Sequence, residues 1–279
     1  MKRRPIFLLS ALTFGFAFFY IPILSMMVYS FNVSRLATVW GGFSLKWYGV
    51  LFSNQQVFAA LKLSLSIALI SASVATVLGV MAGMALTRMG KFRGRQGFAG
   101  MVVAPLIMPE VITGISMLIF FILLGQYLGW PAKRGFSTIT LAHITFSMVY
   151  VTTIIQARLS ETDQAIEEAA MDLGSRPWQV LFDVTLPVIS PAILSGWLLA
   201  FTISLDDVVI TTFTSGPGST TLPLLIWSKV KLGVTPDINA LATLIVLAVG
   251  ICVAAAGVVM ARAEKRRNLD MRLAFRANE

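Results

Sequence analysis

Apolar residues come in long runs along this chain, and polar residues gather in the gaps between them. The runs cover about 5–31, 57–87, 98–125, 138–156, 186–213 and 238–261. A helix needs about 20 mostly apolar residues to cross a hydrocarbon core. Lipid offers no partner to backbone N–H and C=O groups, so runs of this length are predicted to be helices that satisfy those groups internally. The pattern predicts an all-α membrane bundle of six transmembrane helices, a single domain over 1–279. A cleavable signal peptide is the rival reading of the first run, but that run is too long and lacks an A-x-A-like site.

Several positions inside the runs depart from plain lipid-facing sequence. Gly79 and Gly83 form a G-x-x-x-G in the second run, a spacing that lets another helix approach closely. The third run holds Pro105 and Pro109, followed by Glu110. Read as one helix, it places that carboxylate about 18 Å from its start at 1.5 Å per residue. The only histidine, His143, lies in the fourth run; in such a place hydrogen bonding to a neighbouring helix is a commoner role than proton transfer. Asp206 and Asp207 interrupt the fifth run late. Between runs, loop 32–56 carries Trp40, Phe43, Trp47 and Tyr48, rings suited to a membrane surface. Loop 214–237 carries the turn residues Gly216, Pro217 and Gly218 and a short apolar piece, LPLLIW, too brief to cross.

Composition agrees with the pattern. The 279 residues are 57% hydrophobic and 13% charged, against about 45–50% and 25% in soluble domains. The net charge of +9 needs no nucleic acid, because basic loops on one side of a membrane explain it. With six runs both termini share a side. That side collects three Lys and Arg at the N-terminus, four in loop 88–95, Arg158 and Arg176 near the fourth gap, and six in the tail, fifteen in all. The other side has seven: Arg35, Lys46, Lys62, Lys133, Arg134, Lys229 and Lys231. The positive-inside rule therefore places both termini in the cytoplasm. The single cysteine, Cys252, lies in the last run and makes no intrachain disulfide.

The longest polar gap, 160–187, reads as two short helices about a hinge. Ile166, Ala169, Ala170 and Leu173 recur at helical spacing on one apolar face, with Glu161, Asp163, Glu167, Glu168 and Asp172 elsewhere. Gly174 stands where a helix ends in the left-handed conformation, and Pro177 can restart one. A second stripe carries Trp178, Leu181, Phe182 and Thr185, and Pro187 is expected to close the gap. Glu168, Ala169, Ala170, Gly174, Val184, Leu186 and Pro187, in this order and spacing, are similar to the EAA loop of permease subunits of binding-protein-dependent, type I ABC importers. That family commonly has isoleucine where Val184 stands. An amphipathic hairpin without such a role is the plain alternative. The resemblance implies a cytoplasmic coupling helix that docks on an ATPase subunit, with Glu168, Ala169, Ala170, Gly174, Leu186 and Pro187 as its coupling residues.

The chain carries no visible catalytic apparatus. Its one Gly-Lys pair, Gly90 and Lys91, is followed by Phe92 and has Ala85 where a P-loop has its first glycine. No H-E-x-x-H, paired cysteines or G-x-S-x-G occurs. It is read as a transporter subunit rather than an enzyme, with no catalytic residue, metal or cofactor of its own, and with ATP and magnesium used by a partner ATPase. A proton-coupled secondary cation carrier is the alternative from another class. An ATPase dock has no use in such a carrier, and a plain membrane scaffold has none for carboxylates in its spans.

Charged groups inside a membrane are costly and usually face a wet cavity or a partner. Glu110, Asp206 and Asp207 have no intramembrane Arg to neutralise them, and Lys62 lies near an outer end. With the rings Tyr150, Trp197 and Phe201 nearby, they are candidate pathway residues for a cationic amine, drawn by carboxylates and aromatic faces. Pairing with a sister subunit, or capping a broken helix, is the other reading of each acid. Asp206 is expected to face the pathway on a stripe with Ser195 and Thr202, and Asp207 to bond a neighbour.

A wider resemblance, covering nearly the whole chain, is to the polyamine branch of this permease family, most of all the second permease subunit of putrescine importers. Met108, Pro109, Glu110, Val111 and Ile112 carry it, with 204–208 (SLDDV), 215–223 (SGPGSTTLP) and 236–243 (PDINALAT); that branch has aspartate where Glu110 stands. The resemblance implies a multi-pass protein of the bacterial inner membrane. It also implies a heterodimer with a sister permease, two ATPase subunits and a periplasmic polyamine-binding protein. Putrescine is the first substrate it implies, with spermidine or another small solute as the alternative.

Overall fold

A computed structural model of the chain describes residues 6–35, 39–233 and 235–251, with 254 and 258. Cys252, the basic N-terminus up to Arg4 and the basic tail lie outside the described residues. Every regular element described is helical. In order they are α1 (Ile6–Tyr29), α2 (Lys46–Phe52), α3 (Gln55–Arg88), α4 (Arg95–Ile107), α5 (Glu110–Leu128) and α6 (Phe136–Glu161). There follow α7 (Ala165–Asp172), α8 (Pro177–Val180), a π-helical turn (Leu181–Thr185), α9 (Leu186–Asp206), α10 (Val209–Thr214) and α11 (Leu222–Leu232), and finally α12 (Pro236–Ile251). Among the described residues, five helical stretches are long and apolar enough to cross a membrane, namely α1, α3, α5, α6 and the stretch Pro177–Asp206. The sixth apolar run appears as α12, a shorter helix as far as it is described.

Two runs differ from the expected course. The third is two helices, broken where Met108 (φ −77°, ψ 137°) and Pro109 (φ −56°, ψ 136°) are extended. Pro109 has no N–H to give the ladder, and its ring pushes the preceding residue out of the helical region. Pro105 stays within α4. Glu110 is thus the first residue of α5, where a carboxylate suits the helix dipole, rather than a group partway along one helix from 98. The fifth run begins earlier than expected, because the helix passes from Pro177 through the π turn into α9 without a stop. Leu186 N–H donates to Leu181 O, five residues back. The widened turn lies just before Pro187, whose ring would crowd the carbonyl four residues back in an ordinary helix. Pro187 therefore does not close the polar gap.

The chain divides into two compact units, Met1–Gln55 with Lys229–Glu279, and Gln56–Ser228. In the first, no residue of α1 between Phe7 and Tyr29 is buried within the chain, as befits a helix facing lipid or another subunit. The surface loop after α1 is clasped by Asn32. Its Oδ1 accepts Ser34 N at 3.1 Å and Gly41 N at 2.8 Å, its carbonyl accepts Trp47 Nε1 at 2.7 Å, and Phe31 stacks on Phe43.

The second unit is built on α6. Val151, Ile155 and Leu159 of α6 pack with Ala72 and Val80 of α3 and Ile189 and Ala200 of α9. A second cluster joins Phe121, Ala142, Phe146 and Ile210, from α5, α6 and α10. The G-x-x-x-G of α3 makes its close approach to α6. A Cβ at Gly79 would stand 2.7 Å from Val151, and one at Gly83 2.7 Å from Ile155 Cγ2. Gly83→Ala should therefore cost about 1–3 kcal/mol of overpacking, seen as a lower unfolding temperature of the purified protein. Gly100→Ala in α4, where a Cβ meets nothing within 4 Å, should leave it unchanged; equal behaviour of the two would refute the packing.

Candidate functional site

The polar gap folds as a hairpin whose first helix, α7, closes in a left-handed glycine. Gly174 has φ +92°. Ser175 N–H donates to Ala170 O at 3.1 Å and Gly174 N–H to Met171 O at 2.9 Å, the paired bonds of a Schellman end. Arg176 N–H is then capped by Gln179 Oε1 at 2.8 Å as α8 begins at Pro177. The hinge expected at Gly174 has this physical form.

The stripe Ile166, Ala169, Ala170, Leu173 does not turn into the chain. Leu173 is 89% exposed, Ile166, Trp178 and Phe182 are exposed too, and α7 buries no residue. Glu168, Ala169, Gly174 and Pro187 are exposed, Ala170 is half-buried, and Leu186 packs against the α3, α6 and α9 core. The inward residue is Glu167, placed by sequence reasoning among the outer acids. Arg88, at the end of α3, lies 3.2 Å from its Oε1. A basic residue closing the second apolar run was the only sequence signal for that pair.

Where α9 ends, Asp207 is extended (φ −64°, ψ 129°) and its carboxylate holds the start of α10. Oδ1 accepts Ile210 N–H at 3.2 Å, and Oδ2 accepts both Thr211 N–H and Thr211 Oγ1 at 2.7 Å. His143 Nε2 lies 3.2 Å from Oδ2, with both side chains buried. On its far side, Nδ1 meets Ser204 Oγ at 2.7 Å, and Ser71 Oγ donates to Ser204 Oγ at 2.9 Å. A carboxylate can only accept, so a neutral His143 carries its proton on Nε2 and accepts at Nδ1. The network joins α3, α6, α9 and α10. It gives His143 the hydrogen-bonding surroundings and Asp207 the bonded neighbour that their positions in the sequence led one to expect.

Asp206 and Glu110 are arranged differently. Both are exposed on the chain, and neither makes an ion pair among the described residues. Ser195 and Thr202 are exposed as well, and their hydroxyls donate to Pro191 O and Leu198 O within α9. The candidate rings form two groups. Trp197 and Phe201 stack at 5.4 Å on the first core cluster, with Trp197 Nε1 donating to Ser73 Oγ at 3.2 Å. Tyr150 meets Phe146 edge-on at 5.4 Å beside the second cluster. The three acids therefore divide into one buried capping group and two outward-facing carboxylates.

A family model described as "Binding-protein-dependent transport system inner membrane component" matches residues 75–269. The chain is 56% identical over 265 residues, 95% of its length and 94% of the relative's, to the putrescine transport system permease protein PotI of Escherichia coli (strain K12). It is 40% identical over 253 residues, 91% and 93% of the two lengths, to the spermidine/putrescine transport system permease protein PotC of the same strain. Among solved structures, a chain of a bacterial ABC transporter involved in the import of the acidic polysaccharide alginate superposes with a TM-score of 0.67. That likeness covers 93% of this chain and 97% of the other at 16% identity, and it speaks for the fold alone.

Proposed function

This chain belongs to the family of binding-protein-dependent transport system inner membrane components, and from that premise we propose that it is a permease subunit of an ATP-driven polyamine importer, with putrescine as its substrate. The single observation that carries this reading is the end-to-end likeness to the permease of a putrescine transport system. The chain supplies half of a translocation pathway and a sister permease the other half. Two ATPase subunits, which use ATP and magnesium, dock on the exposed apolar edge of α7 and α8, and a periplasmic binding protein delivers the polyamine. The fifteen-to-seven distribution of Lys and Arg supports cytoplasmic termini and a cytoplasmic 160–187 hairpin. Glu168, Ala169, Ala170, Gly174, Leu186 and Pro187 are the coupling residues. Glu110 and Asp206 line the pathway; Asp207, Tyr150, Trp197 and Phe201 frame it.

The experiment is uptake of labelled putrescine by cells that lack other polyamine importers and express the chain with its partner subunits. Uptake should depend on ATP, and excess unlabelled putrescine should block it better than spermidine. Gly174→Asp, which forces a side chain into the φ +92° position, should leave the membrane level intact and lower uptake at least about tenfold, within the usual range of coupling effects. Stronger block by spermidine would move the substrate to the larger amine. Undiminished uptake by Gly174→Asp would remove the hairpin from coupling.

A further inference from the structure

We propose that Arg88 and Glu167, completed by Thr185, are the positioning residues through which movement of α7 reaches the membrane helices; the inference rests on α7 being the coupling element. Helix α7 buries no residue, so side-chain packing gives it little grip on the bundle. Beside it opens a cleft of about 610 Å³ whose walls include Met84, Met89 and Met171. What crosses between α7 and the spans is a polar strut. Arg88 Nε donates to Glu167 Oε1 at 3.2 Å and Arg88 Nη2 to Thr162 O at 3.1 Å. The same Glu167 oxygen accepts Thr185 Oγ1 at 3.2 Å.

One guanidinium and one carboxylate thus tie together the last residue of α3, the end of α6, the first turn of α7 and the π turn that feeds α9. Exposed ion pairs are weak mechanical links because water competes for both partners. Here the side chains are only 17% and 14% exposed, and the carboxylate has a second partner in Thr185. Arginine suits the position because its planar fork serves two acceptors at once, which a lysine ammonium does with less direction. The π turn lets Thr185 reach the carboxylate, and such turns often mark places where a helix has a task besides spanning. Displacement of α7 by an ATPase therefore pulls on α3 and α9 together, the two helices that flank α6.

The test uses the complete importer in proteoliposomes, with Glu167→Gln, Arg88→Met, the double variant, Thr185→Val and Thr185→Ser. Polyamine carried per ATP hydrolysed should fall about tenfold in each charge variant, and the double variant should fall no further, because both substitutions cut the same strut. Thr185→Ser should behave as the parent, whereas Thr185→Val should lose part of the ratio. In parallel, nitroxides at positions 89 and 171, with Cys252 replaced, should hold one distance with and without ATP in the parent and change it in Glu167→Gln. A parental ratio in both charge variants, additive losses, or a nitroxide distance unaffected by Glu167→Gln would each overturn the proposal. The distance measurement needs no substrate, so a parent complex that carries no polyamine would refute the proposed function while leaving the strut to its own test.

Discussion

Truncating Asp207 to alanine is expected to destabilise the permease by about 3–5 kcal/mol, because each buried donor left without its acceptor costs about 1–3 kcal/mol. The loss has named parts. Ile210 N–H, Thr211 N–H and Thr211 Oγ1 lose their acceptor, and His143 Nε2 keeps only Thr211 Oγ1, at 3.1 Å. Asp207→Asn keeps an acceptor oxygen but sets an amide NH₂ against groups that are themselves donors, so its cost should be smaller, about 1–3 kcal/mol. Chemical unfolding in mixed micelles should rank the parent above Asn above Ala. Assembly with partner subunits should decline in the same order, while transport per assembled complex stays near the parent in Asp207→Asn. Equal stability of all three would show that the network does not hold the break between α9 and α10.

The second large effect concerns the two outward acids. Glu110 stands at the start of α5 and Asp206 at the end of α9, both exposed on the chain. Neither has an ion-pair partner among the described residues, so each is available to a cation in a pathway completed by another subunit. The double variant Glu110→Gln, Asp206→Asn should lower putrescine transport about a hundredfold, within the range over which a focused field raises local substrate concentration and entry rate. Assembly and stability should change little, because neither side chain holds a helix start by hydrogen bonds as Asp207 does and the loss of the Glu110 charge from the first turn of α5 costs only about 0.3–1 kcal/mol.

These two outcomes separate what could be read in the chain from what could not. The long apolar runs became helices because lipid leaves the backbone no other way to satisfy itself, and Gly79, Gly83 and Gly174 kept the roles that a missing Cβ confers. The break at Pro109 was hidden because Pro105, four residues earlier, carries the same local signal and remains inside its helix. The π turn before Pro187 has no sequence period of its own. Glu167 looked like one more outer acid because its partner, Arg88, is 79 positions away. His143 reaches Ser204 and Thr211 across 61 and 68 positions. Spacing reports on one helix at a time, and these contacts exist only once helices pack.

Transport by the purified complex tests the central claim most directly. Proteoliposomes holding this chain, its sister permease, the ATPase and the binding protein should accumulate labelled putrescine only when ATP is supplied to the ATPase side. The Glu110→Gln, Asp206→Asn complex should hydrolyse ATP yet accumulate about a hundredfold less. Accumulation driven by a proton gradient without ATP, or full accumulation by the double variant, would contradict the account.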